Sequence, residues 1–451
     1  MQRIVFLVIT FIVFTFTPAV KAQSLLRDAE MEAFLKEISY PIFEAANLTP
    51  ENVHLYLIHD PSINAFVTGG QNIFIHSGLI MESDNVNQLI GVIAHETCHI
   101  ACQHRIRTSG VLAQSGNFSI LSMVLGAAAI VAGAGDAGVG LMMAGQQVAT
   151  SQFLSYSRGQ ESEADLAGAK YLEATGHSGK GMVEFFEKLR HQEILAQIRQ
   201  DPYVRTHPLN RQRIMQLNDV VVPSQHYNSP SPENIEEKFQ RMKAKLAGYI
   251  NTPRTTLRQY PLSDQSVAAR YARVYGYNKA LEWDLAIAEA DAMIAQEPNN
   301  PYLYEIKGQI LFENHKVAEA EAVLEKAVAL APKEALILTA YGQALVSQEE
   351  NSKMQKAIDS LTKATRLEPE NNFAWFNLAR AYALTGDDAM ANLASAERFY
   401  SIGHAPKAYG HARRALNDFE ENSIHWIRAQ DIIVATEAIV QEQAKRARRQ
   451  R

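Results

Sequence analysis

The residues best suited to chemistry lie at positions 95 to 99, which read His-Glu-Thr-Cys-His. On a helix, the spacing of four places the imidazoles of His95 and His99 one turn apart on the same face. This arrangement is typical of zinc ligands, and the intervening Glu96 can serve as the general base of a hydrolase. Two ordinary core histidines are a weaker interpretation, because neighbouring buried imidazoles need partners. The pattern predicts a zinc-dependent hydrolytic site.

Zinc in a catalytic site takes three protein ligands and leaves one position for water. On an unbroken helix His104 lies nearly opposite the histidine pair, so we do not expect it to be a ligand. The best candidate for the third ligand is Glu161, at the start of the next predicted helix. Asp165 shares its face and can accept a hydrogen bond from a ligand histidine, whereas Glu163 points the other way. The alternative is an acidic cluster that only stabilises a helix N-terminus.

The chain has two cysteines, Cys98 and Cys102, which excludes a scaffold held together by disulfides. In a regular helix, Cβ atoms four residues apart are separated by ~5–6 Å. A disulfide requires about 3.5–4.5 Å, so a bridge would distort the helix. We therefore expect two buried free thiols.

Residues 23–222 must position these side chains, and their pattern is typical of a compact α+β domain. The predicted elements are a helix at 27–46, a strand at 53–58, a hairpin at 64–76 turning at Gly69-Gly70, the motif helix at 86–106, and helices at 160–174 and 180–198. The segment 108–150 is rich in small residues and carries no charge up to residue 135. We expect it to form a helical hairpin that packs on the domain or touches a membrane surface, with a spanning helix as the alternative.

The N-terminus predicts export. Residues 1–22 combine a basic start, an apolar run and small residues at the spacing of a cleavage site, which is the pattern of a signal peptide. An uncleaved anchor is the alternative, but the apolar run is shorter than the ~20 residues that a spanning helix needs. We expect a bacterial periplasmic protein, with membrane association as a further option. The net charge of -6 gives no reason to expect nucleic-acid binding, and the basic residues at 441–451 read as a solvated tail.

After a proline- and serine-rich connector at 223–262, residues 263–440 are predicted to be almost entirely helical. Prolines recur at 298, 332 and 369, and each is followed ten residues later by a small residue. Those small residues are Gly308, Gly342 and Ala379. A period near 34 residues predicts a tetratricopeptide-repeat solenoid rather than an irregular helical bundle. Such arrays bind peptides or partner proteins, so we expect this half to recruit rather than to catalyse.

Three segments together resemble the zinc metallopeptidases related to HtpX and the CAAX prenyl protease. They are the 95–99 motif, the run Ser-Arg-x-x-Glu-x-Glu-Ala-Asp at 157–165, and Thr-His-Pro-Leu at 206–209. The full layout is similar to the periplasmic branch of this family, with C-terminal tetratricopeptide repeats. The resemblance implies a zincin-like α+β domain followed by an all-α solenoid. One departure is Cys98, which adds a soft ligand atom close to the site.

The resemblance also implies roles for individual residues. His95, His99 and Glu161 would bind one zinc ion, Glu96 would be the general base, and Asp165 and Arg158 would support the ligands. His207 would lie near the metal, where it would either steady the oxyanion of the transition state or block the open position at rest. The strand Asn64-Ala65-Phe66 would pair with an extended substrate at the sheet edge.

Three functions remain open. The first is an endopeptidase that degrades misfolded or misassembled envelope proteins, in outer-membrane protein quality control. The second is a chaperone or assembly factor whose repeats bind clients, with contacts to the outer-membrane assembly machinery, and whose peptidase site is normally gated by His207. The third, a membrane-embedded processing protease, is disfavoured by the lack of several predicted spanning helices.

Overall fold

The computed structural model describes residues 25–104, 106–108, 157–196 and 207–449, together with positions 123 and 143. The predicted signal peptide at 1–22 and nearly all of the segment 108–150 lie outside the described residues. The described chain has two parts. A small sheet with surrounding helices occupies its first half, and helices alone follow from residue 233.

Four short strands form one sheet in the order β1-β2-β4-β3. They are β1 (Leu25–Leu26), β2 (His54–Ile58), β3 (Ala65–Thr68) and β4 (Asn72–His76). β2 and β4 are parallel, and the two outer pairs are antiparallel. The predicted hairpin is confirmed: it turns at Gly69-Gly70, where Gly70 has φ +81°, a conformation that glycine adopts without strain. β3 is therefore an edge strand of the described sheet.

Helices accompany this sheet in the described part of the first half. They are α1 (Ala29–Ala45), α2 (Ser77–Glu82), α3 (Val86–Ala101), α4 (residues 157–174), α5 (Lys180–Ala196) and α6 (Arg211–Val221). α3, which carries the 95–99 motif, begins at Asn85, whose side chain accepts a hydrogen bond from the Gln88 amide. Its apolar residues are buried in a core shared with the sheet and with α1, α5 and α6. In the described part of the chain, no helix is both long and apolar enough to cross a membrane.

The end of α3 differs from the prediction. The helix stops at Ala101 instead of continuing to residue 106, and Cys102 closes its last turn. Gln103 then takes φ +54°, which turns the chain out of the helix direction. The geometry of a regular helix therefore does not apply to Cys102 or to His104.

The predicted connector contains two helices, α7 (Glu233–Ile250) and α8 (Pro253–Gln259). α7 packs against α1, α2 and α3 on one side and against the helix Val267–Lys279, the first of the repeat region, on the other. Lys245 of α7 is only 1% exposed at this junction. Its ammonium lies 2.7 Å from Asp28 and 3.3 Å from Glu30, and Tyr271 donates a 2.6 Å hydrogen bond to Glu30. This buried polar cluster joins the two halves.

The second half is a solenoid of antiparallel helices, which confirms the predicted repeat. Its helices are α9 (Val267–Lys279), α10 (Trp283–Gln296), α11 (Pro301–Glu313), α12 (Val317–Leu330), α13 (Ala335–Val346), α14 (Asn351–Leu367), α15 (Asn372–Thr385), α16 (Asp388–Ser401), α17 (Ala405–Asp418) and α18 (Ile424–Arg449). A Cβ on Gly308 would lie 2.5 Å from Leu324, and one on Gly342 would lie 2.4 Å from Leu361. The small residues therefore allow close packing of paired helices.

Candidate active site

α3 and α4 run side by side and bring three predicted ligands together. The Nε2 atoms of His95 and His99 are 3.2 Å apart. One carboxylate oxygen of Glu161 is 3.5 Å from the His95 Nε2, and the other is 3.7 Å from the His99 Nε2. Close approach of the helices is possible because α4 has Gly168 at the contact, where a Cβ would lie 3.2 Å from the His95 amide nitrogen. The three side chains thus converge on one point.

Asp165 and Arg213 hold this arrangement from behind. Asp165 Oδ1 is 2.9 Å from the His95 Nδ1, on the side of the ring that faces away from the cluster. Arg213 of α6 donates two hydrogen bonds to Asp165, of 2.7 and 2.8 Å, and a third of 2.8 Å to the Pro208 carbonyl. It also lies 3.2 Å from Glu161. One buried guanidinium therefore supports both carboxylates and the loop before α6.

His207 reaches the same point from that loop. Its Nδ1 is 3.0 Å from Glu161 Oε2 and 3.3 Å from the His95 Nε2. Its Nε2 faces Glu96 Oε1 at 3.4 Å. The structure thus places His207 beside the three predicted ligands, with one nitrogen towards them and the other towards the predicted base.

Glu96 is fully buried, and neither of its oxygens has a hydrogen-bond partner among the described residues. Burial raises the pKa of this carboxyl group, although His207 and His95 oppose the shift. A buried carboxylate with free acceptor capacity needs a cation or a proton donor close by. Glu96 also belongs, with His95, His99 and His207, to a group whose ligand atoms lie within 4.8 Å of one another.

The close packing of His95, His99 and Glu161 shifts the pKa of each group. Burial lowers the pKa of His95, but hydrogen bonds to Asp165 and Glu161 outweigh it and raise the pKa to about 9. Burial lowers the pKa of His99 well below its usual value, and the neighbouring His95 adds to the effect. Glu161 has a pKa well below its usual value, because the contacts with His207 and His95 outweigh its burial. An anionic oxygen and imidazole nitrogens are the donors that zinc prefers.

The prediction of free cysteines is wrong. Cys98 and Cys102 form a disulfide with a Cα–Cα distance of 5.2 Å. The prediction assumed a regular helix through both residues, whereas Cys102 lies beyond the last helical residue and can turn its sulfur towards Cys98. Cys98 therefore has no free thiolate to offer as a soft ligand.

His104 is also placed differently from the prediction. It does not point away from the histidine pair: its Nδ1 lies 2.9 Å from the Nδ1 of His99, and its Nε2 lies 3.1 Å from Glu163. The turn at Gln103 brings it back towards α3. Glu163 faces away from the cluster as expected, and it holds His104 instead.

Of two other predicted groups, one lies away from the cluster and the other lies at the sheet edge. Arg158 is exposed near the start of the described part of α4, and the described residues show no contact between it and the cluster. Asn64 immediately precedes the edge strand β3, and Ala65 and Phe66 begin that strand, which packs against α3. The buried basic residue beside the site is Arg213, which the sequence reasoning missed. The available signal was its position on the apolar face of α6 with Leu217.

Comparison with known proteins defines the class. Residues 26–221 match the model of Peptidase family M48, and residues 271–335 and 344–403 match a tetratricopeptide-repeat model. The chain therefore carries an M48 metallopeptidase domain followed by C-terminal tetratricopeptide repeats, as its resemblance predicted.

The chain is homologous to proteins named beta-barrel assembly-enhancing protease. The one from Escherichia coli (strain K12) is 27% identical over 399 residues, which cover 85% of this chain and 78% of the relative. The one from Yersinia pestis is 25% identical over 398 residues, covering 86% and 79%. The metalloprotease YcaL of Escherichia coli (strain K12) is 28% identical over 188 residues, covering 41% of this chain and 68% of that protein.

Proposed function

We propose that the protein is a zinc-dependent endopeptidase of the cell envelope that degrades misfolded or misassembled proteins, in outer-membrane protein quality control. The observation that carries the proposal is the convergence of His95, His99 and Glu161 beside the buried Glu96. Export by the N-terminal segment to the periplasm is part of the same proposal. The name of the relatives, which refers to β-barrel assembly, supports the choice of compartment.

The donor atoms fit a zinc ion. Zinc–nitrogen and zinc–oxygen bonds of ~2.0–2.2 Å in a tetrahedron place neighbouring donors about 3.3–3.6 Å apart. The distances among the His95, His99 and Glu161 donor atoms are 3.2, 3.5 and 3.7 Å. Because Asp165 contacts Nδ1 of His95, the Nε2 of that ring can act as the ligand atom. One zinc ion per chain is therefore expected.

In the proposed peptide hydrolysis, the metal provides a Lewis acid and Glu96 transfers the proton. A zinc ion held by His95, His99 and Glu161 would supply Lewis acidity, which would polarise the scissile carbonyl and lower the pKa of water. Glu96 accepts the proton of the attacking water and then delivers it to the leaving amine. Burial raises the pKa of Glu96, which favours its protonated form once it has accepted the proton of the water. Asp165 and Arg213 keep His95 and Glu161 in place during these steps.

His207 supports a gated site. Its Nδ1 lies 3.3 Å from the His95 Nε2 and 3.0 Å from Glu161, close to the separation expected of a fourth zinc ligand. An imidazole in this position would take the place that substrate or water needs. We propose that His207 closes the site at rest. This favours, as the second candidate function, a chaperone or assembly factor whose peptidase activity is normally off.

The edge strand β3 is proposed to bind substrate. The His76 amide donates to the Asn64 carbonyl, so the backbone groups of Asn64 and Phe66 face β4. Those of Ala65 and Val67 therefore point outwards from the edge. An extended peptide that pairs with them is bound through its backbone, with little sequence preference. Such a mode suits a peptidase that acts on many unfolded chains.

The repeats are proposed to recruit protein clients and partners, including the outer-membrane assembly machinery. α14, α15, α16 and α18 enclose a groove of about 880 Å³. Its walls include the aromatic rings of Trp375, Tyr382 and Tyr400 next to the basic Arg366. Aromatic and arginine side chains are enriched where proteins bind each other.

The substitution Glu96→Gln tests the enzymatic proposal. The variant should keep its zinc and its fold, because Glu96 is not a proposed ligand, and it should lose cleavage of an unfolded substrate such as reduced casein. Circular dichroism and metal analysis check the fold and the zinc. Glu51→Gln, at an exposed glutamate, is the matched control and should cleave like wild type. Unchanged cleavage by the Glu96 variant would refute the assignment.

The substitution His207→Ala tests the gate, and a rescue assay separates the two candidate functions. If the imidazole closes the site, its removal should increase cleavage of the unfolded substrate. A rescue assay for envelope integrity with the Glu96→Gln variant then shows which function the cell requires. Full rescue would favour the chaperone or assembly role, and failure to rescue would favour proteolysis.

A further inference from the structure

His104 makes a connection that the proposed hydrolytic mechanism does not use. It is 3% exposed, and it lies between a proposed zinc ligand and a carboxylate. Its Nδ1 is 2.9 Å from Nδ1 of His99, and its Nε2 is 3.1 Å from Glu163. The other ring nitrogen of His99, Nε2, faces the cluster at 3.2 Å from the His95 Nε2.

These contacts fix the protons on both rings once His99 binds a metal through Nε2. The Nδ1 of His99 then carries the hydrogen, because a neutral imidazole has one protonated nitrogen. It donates to Nδ1 of His104, whose Nε2–H donates to Glu163. The chain of donors and acceptors is consistent from the carboxylate to the ligand. Partners of this kind orient a ligand imidazole and increase its basicity.

The turn that carries His104 is held by covalent and hydrogen bonds. The disulfide joins Cys102 to Cys98, the residue next to His99. The Cys102 amide donates to the Cys98 carbonyl, and Gln103 follows with φ +54°. On the far side, Gln160 of α4 donates a 2.9 Å hydrogen bond to the His104 carbonyl. The disulfide thus fastens the turn to the same helical turn that presents His99.

We propose that His104 is a positioning residue for His99, and that the Cys98–Cys102 disulfide keeps it in place, so that the metal site responds to the thiol redox state. This inference rests on the proposed function, because it requires His99 to be a metal ligand. Without the bridge, the turn from Cys102 to His104 is held only by weaker contacts. His104 then leaves His99 more often, and the imidazole loses its fixed orientation.

The redox step needs a reductant, which is a dithiol. Its two thiols become a disulfide, and its two electrons and two protons pass to the sulfurs of Cys98 and Cys102. The S–S bond breaks and two thiols form. Oxidation by a disulfide reagent reverses the step with the same balance.

The first experiment measures how the purified full-length protein binds metal when His104 is changed. Zinc affinity is determined by competition with a chromophoric chelator, and the visible spectrum of the Co²⁺-loaded protein reports ligand geometry. His104→Ala should lose about 10- to 100-fold in zinc affinity and should shift the Co²⁺ bands. His104→Asn should recover much of both, because its amide oxygen can replace the Nδ1 acceptor. His226→Ala, at a histidine of the connector away from the cluster, is the matched control.

The second experiment changes the redox state. Wild-type protein is reduced with dithiothreitol and freed of reductant by anaerobic gel filtration before metal is added. Its zinc affinity should fall and its Co²⁺ spectrum should move towards that of His104→Ala, and reoxidation should restore both. Cys102→Ala should behave like the reduced wild type and should not respond to dithiothreitol.

Three results would overturn the inference. Equal zinc affinity and equal Co²⁺ spectra for wild type, His104→Ala and reduced protein would show that His104 positions nothing. Failure of His104→Asn to recover either property would indicate a packing role. A second equivalent of Co²⁺ with thiolate-to-metal absorption in the reduced protein would show that Cys98, Cys102 and His104 form a metal site of their own. If wild type itself binds no zinc, the proposed function fails first, which distinguishes the two failures.

Discussion

Replacement of Arg213 by methionine tests whether the candidate site depends on a buried charge that holds its carboxylates. The guanidinium is 2% exposed and makes two hydrogen bonds to Asp165, of 2.7 and 2.8 Å. It also lies 3.2 Å from Glu161. Methionine fills similar space but removes the guanidinium that contacts both buried carboxylates. Removal of one partner of a buried ion pair costs about 3–5 kcal/mol of unfolding free energy.

The assay is urea unfolding of the metal-free protein followed by circular dichroism. All three tryptophans, Trp283, Trp375 and Trp426, lie in the repeat half, so their fluorescence follows that half separately. Arg213→Met should lower the stability of the first half and leave the tryptophan transition unchanged. The matched control is Arg211→Met, at an exposed arginine two positions earlier on the same helix.

A double variant separates charge from packing. Arg213→Met combined with Asp165→Asn removes both the cation and its main partner, so the double variant should be more stable than Arg213→Met alone. The reasoning is refuted if Arg213→Met loses less than about 1 kcal/mol relative to Arg211→Met, which is the range of an exposed ion pair.

Further predictions concern pH, helix packing and substrate binding. Burial raises the pKa of Glu305 from 4.5 to about 7. Its contribution to the free energy of unfolding is therefore full below pH 4.5 and is lost as the pH rises through 7. Glu305→Gln should reduce this decline in the free energy of unfolding between pH 4.5 and 7 by ~1–3 kcal/mol. A Cβ on Gly91 would lie 2.6 Å from the Met182 Cβ. Gly91→Ala should therefore lower the free energy of unfolding in urea by about 1–2 kcal/mol. Gly410→Ala, where a Cβ would meet open space, should raise it by up to ~1 kcal/mol. Val67→Pro removes an outward amide of the edge strand and should raise the KM for an unfolded substrate by about 2- to 10-fold at unchanged kcat, and an unchanged KM would exclude pairing at this position.

Much of the site could be predicted because helical periodicity is local. The spacing of His95 and His99, and that of Glu161 and Asp165, places each pair on one helix face whatever the rest of the fold does. His207 was anticipated only through the family resemblance. His207 lies in a loop, and helical periodicity does not determine the path of a loop.

The partner of Arg213 and the end of α3 could not be predicted by the same reasoning. The apolar face of α6 indicates that Arg213 is buried, but its contact with Asp165 depends on how α6 packs against α4. Residues 101–103 contain no glycine or proline, so nothing in the sequence marks the turn at Gln103. The errors about Cys102 and His104 both follow from that missed helix end.

The central claim is that His95, His99 and Glu161 bind one zinc ion. X-ray absorption at the zinc edge of the purified full-length protein, with metal analysis, tests it most directly. The account predicts one zinc per chain with nitrogen and oxygen donors at ~2.0–2.1 Å, imidazole scattering from three histidines, and one imidazole fewer in His207→Ala. Sulfur donors at about 2.3 Å, or an unchanged spectrum in His99→Ala, would contradict it.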